Sequence, residues 1–339
     1  MRPLAIIVTA MLSAEIATSD ELYVSNATPA SIVKCDANGT PNLFANGGLY
    51  NPLGVAIDAS GNIYVANGHS ILKFDSAGNA SVFAEMPENW PTQLIFSPTG
   101  DLYVTEGPGT IYRFDSSGNR SLFANTNLSN PSGMAFDPDG NLCVASTGNN
   151  TVFRFVGGKA TILANTGLAG PVSLAFDVRG NLFISNANNN TIVKITPGGV
   201  QSVFATASAG LSVPLGLAFD SSGFLYVVNF LGDSIVKFDA NGNSSRFTDS
   251  GLNDPRYIAI RPTLLPPQGA IQKEAVDEYR ISFSGIPGQQ YTLEWQSDLV
   301  SIEPWHVLGT RTADAQGSYA IIDKPPLGAR KRFYRSTVR

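Results

Sequence analysis

Cysteine and histidine are almost missing from this 339-residue chain, which has two of each: Cys35, Cys143, His69 and His306. So few soft ligands exclude zinc fingers, iron–sulfur clusters and a disulfide-stapled scaffold. The cysteines also fall in different repeat units, and a bridge would need their Cα atoms within about 7 Å. Charge is scarce as well. Asp, Glu, Lys and Arg make up 14% of residues and the net charge is −5, so no basic field exists to attract nucleic acid or an anionic lipid surface. There is no G-x-S-x-G elbow, HExxH sequence or P-loop, which removes common signatures of hydrolases, metalloproteases and nucleotide-binding enzymes. Beyond the first twenty residues no apolar run reaches membrane-spanning length.

Those first residues, MRPLAIIVTAMLSAEIATSD, place Arg2 before an apolar run from Leu4 to Leu12 and end in small residues around Ala17, Thr18 and Ser19. They read as a secretory signal peptide over 1–19, which predicts a secreted or periplasmic protein. Asn26, Asn79, Asn119 and Asn243 open N-x-Ser/Thr sequons, which matter only in a glycosylating host.

What the chain has in abundance is repetition. Pro and a short apolar run recur at Pro52, Pro91, Pro131, Pro171, Pro214 and Pro255, at spacings of 39, 40, 40, 43 and 41 residues. A fixed period of this size is the mark of stacked supersecondary units. Within one unit, VAID leads through the turn DASGN (58–62) into IYVAN, then SILKFD, then the turn DSAGN (75–79) and ASVFA. Asp-x-x-Gly suits tight hairpins, because Asp accepts nearby amide protons and Gly tolerates positive φ. Each unit is therefore a four-stranded antiparallel meander. Its two apolar faces require neighbours, and a β-propeller is the radial solution. The chain starts with a second-strand pattern, LYVSN from Leu22, and the missing first strand appears at Tyr257 to Ile260. Three strands from the start and one from the end predict a split sixth blade that leaves no open edge.

The order P-x-G-[LIV]-A-[FIV]-D, D-x-x-G-N-[IL]-Y-V and [ST]-I-x-[KR]-F-D resembles the NHL-repeat family and its six-bladed relatives of the SMP-30/gluconolactonase type, from about Asp20 to Arg261. That resemblance implies an all-β, six-bladed propeller. Propellers of this kind serve as binding platforms, lactonases and lyases, so fold alone does not choose among them. The composition shift RPTLLPPQG (261–269) ends the repeats. The expected organisation is a propeller over 20–262, a linker over 263–269 and a C-terminal module over 270–339. Five alternating runs, near 279–285, 289–297, 305–313, 317–323 and 332–338, predict a small β-sandwich. Its text resembles a C-terminal module of secreted Verrucomicrobia-type proteins. Trp295, Trp305 and Tyr319 are either a sugar-stacking platform or sandwich core.

Chemistry on a propeller is assembled from one residue per blade. The residue closing each second strand is Asn26, Asn67, Glu106, Ser146, Asn186 or Asn229, a polar set with a single carboxylate. These six are the candidate ligand-binding residues of the channel mouth. Hard cations accept such oxygens, so Glu106, Asn67 and Asn186 are candidate ligands for Ca²⁺ or Mg²⁺, although Asn at such places also caps turns. In the lactonases that the repeats resemble, metal ligands stand directly before the Gly of the first strand. Here those positions hold Leu53, Thr92, Ser132, Val172, Leu215 and Arg256, none a carboxylate or amide. Resemblance to streptogramin lyases implies a His, Glu, His set with Mg²⁺, of which the repeats offer only His69 and Glu106. Two readings follow. One is a secreted, non-catalytic, monomeric propeller that recognises a peptide, glycan or protein. The other is a metal-assisted lyase or lactonase using Glu106 and His69. The six basic residues at one repeat position, Lys34, Lys73, Arg113, Arg154, Lys194 and Lys237, are expected on a solvated face rather than as a phosphate site.

Overall fold

In most of the hairpins, one carboxylate organises the turn, with Ser97 and Thr196 hydroxyls taking its place in two others. Asp58 Oδ1 accepts from the Ser60 and Asn62 amides at 2.9 and 2.8 Å, and Asn62 Nδ2 returns a bond to Asp58 Oδ2 at 2.7 Å. The same arrangement closes the turns at Asp75, Asp115, Asp177 and Asp239. The computed structural model describes residues 20–88, 90–261, 269–275, 278–284, 290–296, 306–312, 318–323 and 333–338. The signal-peptide reading over 1–19, the linker up to residue 268 and Trp305 lie outside the described residues, and Gly269 already opens a strand. The strands form six four-stranded antiparallel sheets and two three-stranded ones. No described helix is long and apolar enough to cross a membrane.

The six larger sheets are the blades of a β-propeller within the compact unit Ser19–Pro262. Blades 1 to 5 open with the strands Pro52–Ile57, Pro91–Phe96, Pro131–Phe136, Pro171–Phe176 and Pro214–Phe219. Blade 6 is split as the sequence predicts. Its inner strand Pro255–Arg261 pairs antiparallel with Glu21–Ala27, with Leu22 opposite Ile260 and Val24 opposite Ile258, and Ala30–Cys35 and Pro41–Ala45 complete the sheet. The inner strand of blade 6 touches those of blades 5 and 1, so the propeller is closed.

Between blades the core is aromatic. At the junction of blades 1 and 2, Tyr64 meets Phe83 and Phe96 edge-on, with centroids 5.1 and 4.9 Å apart, and Phe83 meets Phe114 at 6.1 Å. Such pairs contribute about 0.5–1.5 kcal/mol each beyond the area they bury. The third-strand basic residues lie over this layer. Lys73 stands 5.3 Å from the centroid of Tyr64 and 3.9 Å from Asp58; Arg154 pairs with Asp137 and Asp139 at 2.5 and 3.0 Å; Arg113 pairs with Asp101 at 2.8 Å. They neutralise turn carboxylates of their own blades.

Around the channel the inner strands are of two kinds in strict alternation. The third residue is Gly54, Gly133 or Gly216 in blades 1, 3 and 5, and Gln93, Ser173 or Tyr257 in blades 2, 4 and 6. A Cβ on Gly54 would lie 2.6 Å from Gln93 Cα, on Gly133 2.6 Å from Ser173 Cα, and on Gly216 2.8 Å from Tyr257 Cα. Only glycine permits that approach. In the other three blades a second-strand hydroxyl receives the third residue's amide: Gln93 N donates to Thr105 Oγ1, Ser173 N to Ser185 Oγ and Tyr257 N to Ser25 Oγ, at 3.0, 2.9 and 3.1 Å. The glycine blades carry Ala66, Ala145 and Val228 at the corresponding position.

In the C-terminal region the two sheets run in the orders Gly269–Ala275, Glu278–Ser284, Ser318–Asp323 and His306–Thr312, Gln290–Gln296, Phe333–Val338. Ile281, Tyr319 and Ile321 of one share a buried cluster with Tyr291 and Leu293 of the other, consistent with a small sandwich. Gly269–Ala275 is a sixth strand that the alternation pattern did not reveal. Tyr319 is buried and stacked on Tyr291 at 4.4 Å, while the half-buried Trp295 stacks on the exposed His306 at 4.6 Å.

Candidate functional site

The two propeller faces differ in kind. One, the hairpin face, carries the Asp-x-x-Gly turns. The other, the loop face, gathers the loops between second and third strands and those that link blades, and all six polar strand-end residues sit beneath it. Every one is buried: Asn26, Asn67, Glu106, Ser146, Asn186 and Asn229 are at most 6% exposed. The amides hold the linking loops. Asn229 Oδ1 accepts from Ser212 N at 3.0 Å and its Nδ2 donates to Gly210 O at 2.8 Å; Asn67 does the same to Tyr50 N and Gly48 O at 2.6 and 3.1 Å. Asn186 grips Ala169 N and Gly167 O, Ser146 holds both polar groups of Ser129, and Asn26 Nδ2 reaches Gly251 O. A second row ties blades 3, 4 and 5 each to the next. Asn150, Asn190 and Asp233 accept from the amides of Gly170, Val213 and Asp254 at 2.7, 2.6 and 2.8 Å. The asparagines of the loop face thus anchor backbone that would otherwise lack partners.

This bears directly on the divalent cation implied by the lactonase and lyase resemblances. The Oδ1 atoms of Asn67, Asn186 and Asn229 already accept backbone N–H groups, and the positions before the first-strand glycines hold four uncharged side chains besides Leu53 and the cation Arg256. Among the described residues no group of three His, Cys, Asp or Glu comes together. This donor set does not fit a hard divalent ion, which needs six or more convergent oxygens.

The loop face does expose an aromatic cluster. Tyr50, from the loop entering blade 1, is 66% exposed, and Trp90, from the loop entering blade 2, is 39% exposed. Their centroids are 6.2 Å apart, and the exposed His69 packs edge-on against Trp90 at 4.8 Å. Asn67 positions this group, since it holds the Tyr50 amide, and His69 O accepts from Met86 N at 2.7 Å. Trp90 precedes Pro91, which lies opposite Glu106 in the sheet. His69, in blade 1, and Glu106, in blade 2, thus lie in adjacent blades. The sequence pattern did not single out Tyr50 and Trp90. Their signal is an aromatic residue one or two places before the repeated proline.

On the inner strand of blade 6, the neighbour of blade 1, the Arg256 guanidinium stacks on Phe230 at 4.3 Å, and its buried Nε makes no hydrogen bond. The channel widens towards the hairpin face into a cavity of about 510 Å³, lined by apolar inner-strand residues such as Ile57, Phe96, Phe136, Phe176 and Ile260. Gln93, Ser97 and Ser173 also line it.

Residues 17–107 match the SMP-30/gluconolactonase/LRE-like region, and residues 128–155 match the NHL repeat. No curated protein matches the chain. Among solved structures, a chain of the nidogen/laminin complex is 19% identical with a TM-score of 0.64, the match covering 71% of this chain and 98% of that one. A protein of unknown function from Bacteroides caccae is 15% identical with a TM-score of 0.56, over 72% and 99%. Virginiamycin B lyase from Staphylococcus aureus is 16% identical with a TM-score of 0.51, over 90% and 99%. The fold is a six-bladed β-propeller, with SMP-30-like and NHL-repeat matches over those two stretches. At these identities the solved structures speak to fold alone.

Proposed function

We propose that this is an exported, non-catalytic recognition propeller that binds a peptide segment of another protein across its loop face. The observation that carries this reading is the exposed cluster of Tyr50, Trp90 and His69, held on anchored loops. Amphipathic rings that are already positioned give contact area at little entropic cost, and Trp, Tyr and Arg dominate binding hot spots. The partly exposed guanidinium of Arg256, stacked on Phe230, adds a cation for a carboxylate on the same ligand. One structural relative comes from a complex of two proteins, nidogen and laminin, which is in keeping with this use of the fold.

The second reading, a metal-assisted lyase or lactonase, keeps one point in its favour: His69 packs on Trp90, whose neighbour Pro91 lies opposite Glu106. Selection from a phage-displayed random-peptide library separates the two. The expected result is a set of peptides with an aromatic and an acidic residue, whose affinity falls roughly thirtyfold on Trp90→Ala, the size of a typical hot spot. Peptides indifferent to both Trp90→Ala and Arg256→Gln would refute it. A Ca²⁺- or Mg²⁺-dependent lactone hydrolysis lost in Glu106→Gln would establish the second reading instead.

A further inference from the structure

Junctions between blades are filled by up to four aromatic rings: one on the second strand, one on the fourth, one on the next inner strand and one on the next third strand. Junction 2/3 has Tyr103, Phe123, Phe136 and Phe155, and junction 4/5 has Phe183, Phe204, Phe219 and Phe238. At junction 3/4 the same places hold Cys143, Leu163, Phe176 and Ile195. Three of four rings are gone. A cavity of about 460 Å³ lies there, lined by those four residues and opening on the hairpin face between the turns at Asp137 and Val178.

The repeat also states which ring is missing. In blade 5 the residue six places after the turn aspartate is Tyr226, whose hydroxyl donates to Asp220 Oδ2 at 3.1 Å. In blade 3 the corresponding pair is Cys143 and Asp137, and Asp137 Oδ2 is held in place by Arg154 Nε at 2.5 Å and Asn141 Nδ2 at 3.2 Å. The carboxylate that holds a phenol hydroxyl in blade 5 thus has its counterpart on the wall of a cavity where the ring is missing. Cys143 forms the floor, fully buried, and soft sulfur packs well against an aromatic edge.

We propose that junction 3/4 is a binding site for a small phenol, with the ring between Cys143, Leu163 and Ile195 and the hydroxyl on Asp137. The probe is p-cresol, the tyrosine side chain as a free molecule. Titrated into the full chain and followed by calorimetry and by the melting temperature, it should bind saturably with a dissociation constant on the order of 1 mM, as expected for a fragment of this size. Toluene, lacking the hydroxyl, should bind several-fold more weakly. Cys143→Tyr combined with Leu163→Phe refills the cavity and should weaken p-cresol at least tenfold; Leu163→Phe alone, at a partly exposed position, serves if the double variant does not fold. Absence of saturable binding, or equal binding by whichever refilled variant folds, would overturn the proposal.

Discussion

Asn190 Oδ1 accepts the amide proton of Val213 at 2.6 Å while Val213 itself sits at φ = 49°. A β-branched residue in the left-handed region is strained, by roughly 1–2 kcal/mol. Asn51 and Asn130 take up the same conformation at the same repeat position. Val213→Asn should therefore raise unfolding stability by about 1 kcal/mol, read from urea denaturation. A variant no more stable than the parent would show that the valine's packing outweighs its backbone strain.

Removing an amide clamp should have the opposite effect. Asn229 is 1% exposed and holds Ser212 N, Gly210 O and Ser234 Oγ. Asn229→Ala leaves buried backbone groups without partners and should cost about 2–3 kcal/mol. Peptide affinity measured well below the melting temperature should change little. If affinity fell while stability held, the strand-end amides would be contacting ligand directly.

Stability should fall at acid pH. In Asp75, Asp115 and Asp239 the side-chain bond from the asparagine four residues on, followed by backbone N–H groups, holds the carboxyl below its ordinary 3.8. Burial opposes this at Asp137, but the amides, Asn141 and Arg154 outweigh it. Carboxyls depressed in the folded state contribute stability that is complete above the unfolded value and lost as pH falls through the lower folded value. The melting temperature should hold down to about pH 5 and drop below pH 4, and Asn79→Ala should flatten part of that drop. A drop that Asn79→Ala leaves unchanged would locate the acid sensitivity elsewhere.

Closure can be tested by truncation. A chain ending at Asp254 lacks the strand that pairs with Glu21–Ala27 and should lose its cooperative melting transition, because blade 6 then exposes an apolar edge. A chain ending at Pro267 should keep it. Equal melting of the two would mean that the split blade contributes nothing to the fold.

The fold was legible because proline, the Asp-x-x-Gly turns and the apolar runs recur at fixed offsets, and because the orphan strand at Tyr257 had only one place to go. Gly269–Ala275 escaped notice since GAIQKEA lacks a regular apolar alternation. The strand-end asparagines could be picked out as a ring, yet position along a strand does not reveal that Gly210 O and Ser212 N wait beside Asn229. Tyr50 and Trp90 lie in linking loops, where side-chain direction follows from packing and not from period. The cavity at Cys143 was visible in part as a cysteine in an aromatic slot; what it opens onto depends on Leu163 and Ile195 of two other strands.

The alternation of glycine and hydroxyl inner strands gives the propeller a parity. A single blade gained or lost would set two glycine strands, or two Gln93-type strands, side by side, one pair too loose and the other in collision. Changes of blade number that keep the backbone contact of Gly54 with Gln93 must come two blades at a time, so the natural module of this architecture is a pair of about eighty residues, three of which make the circle.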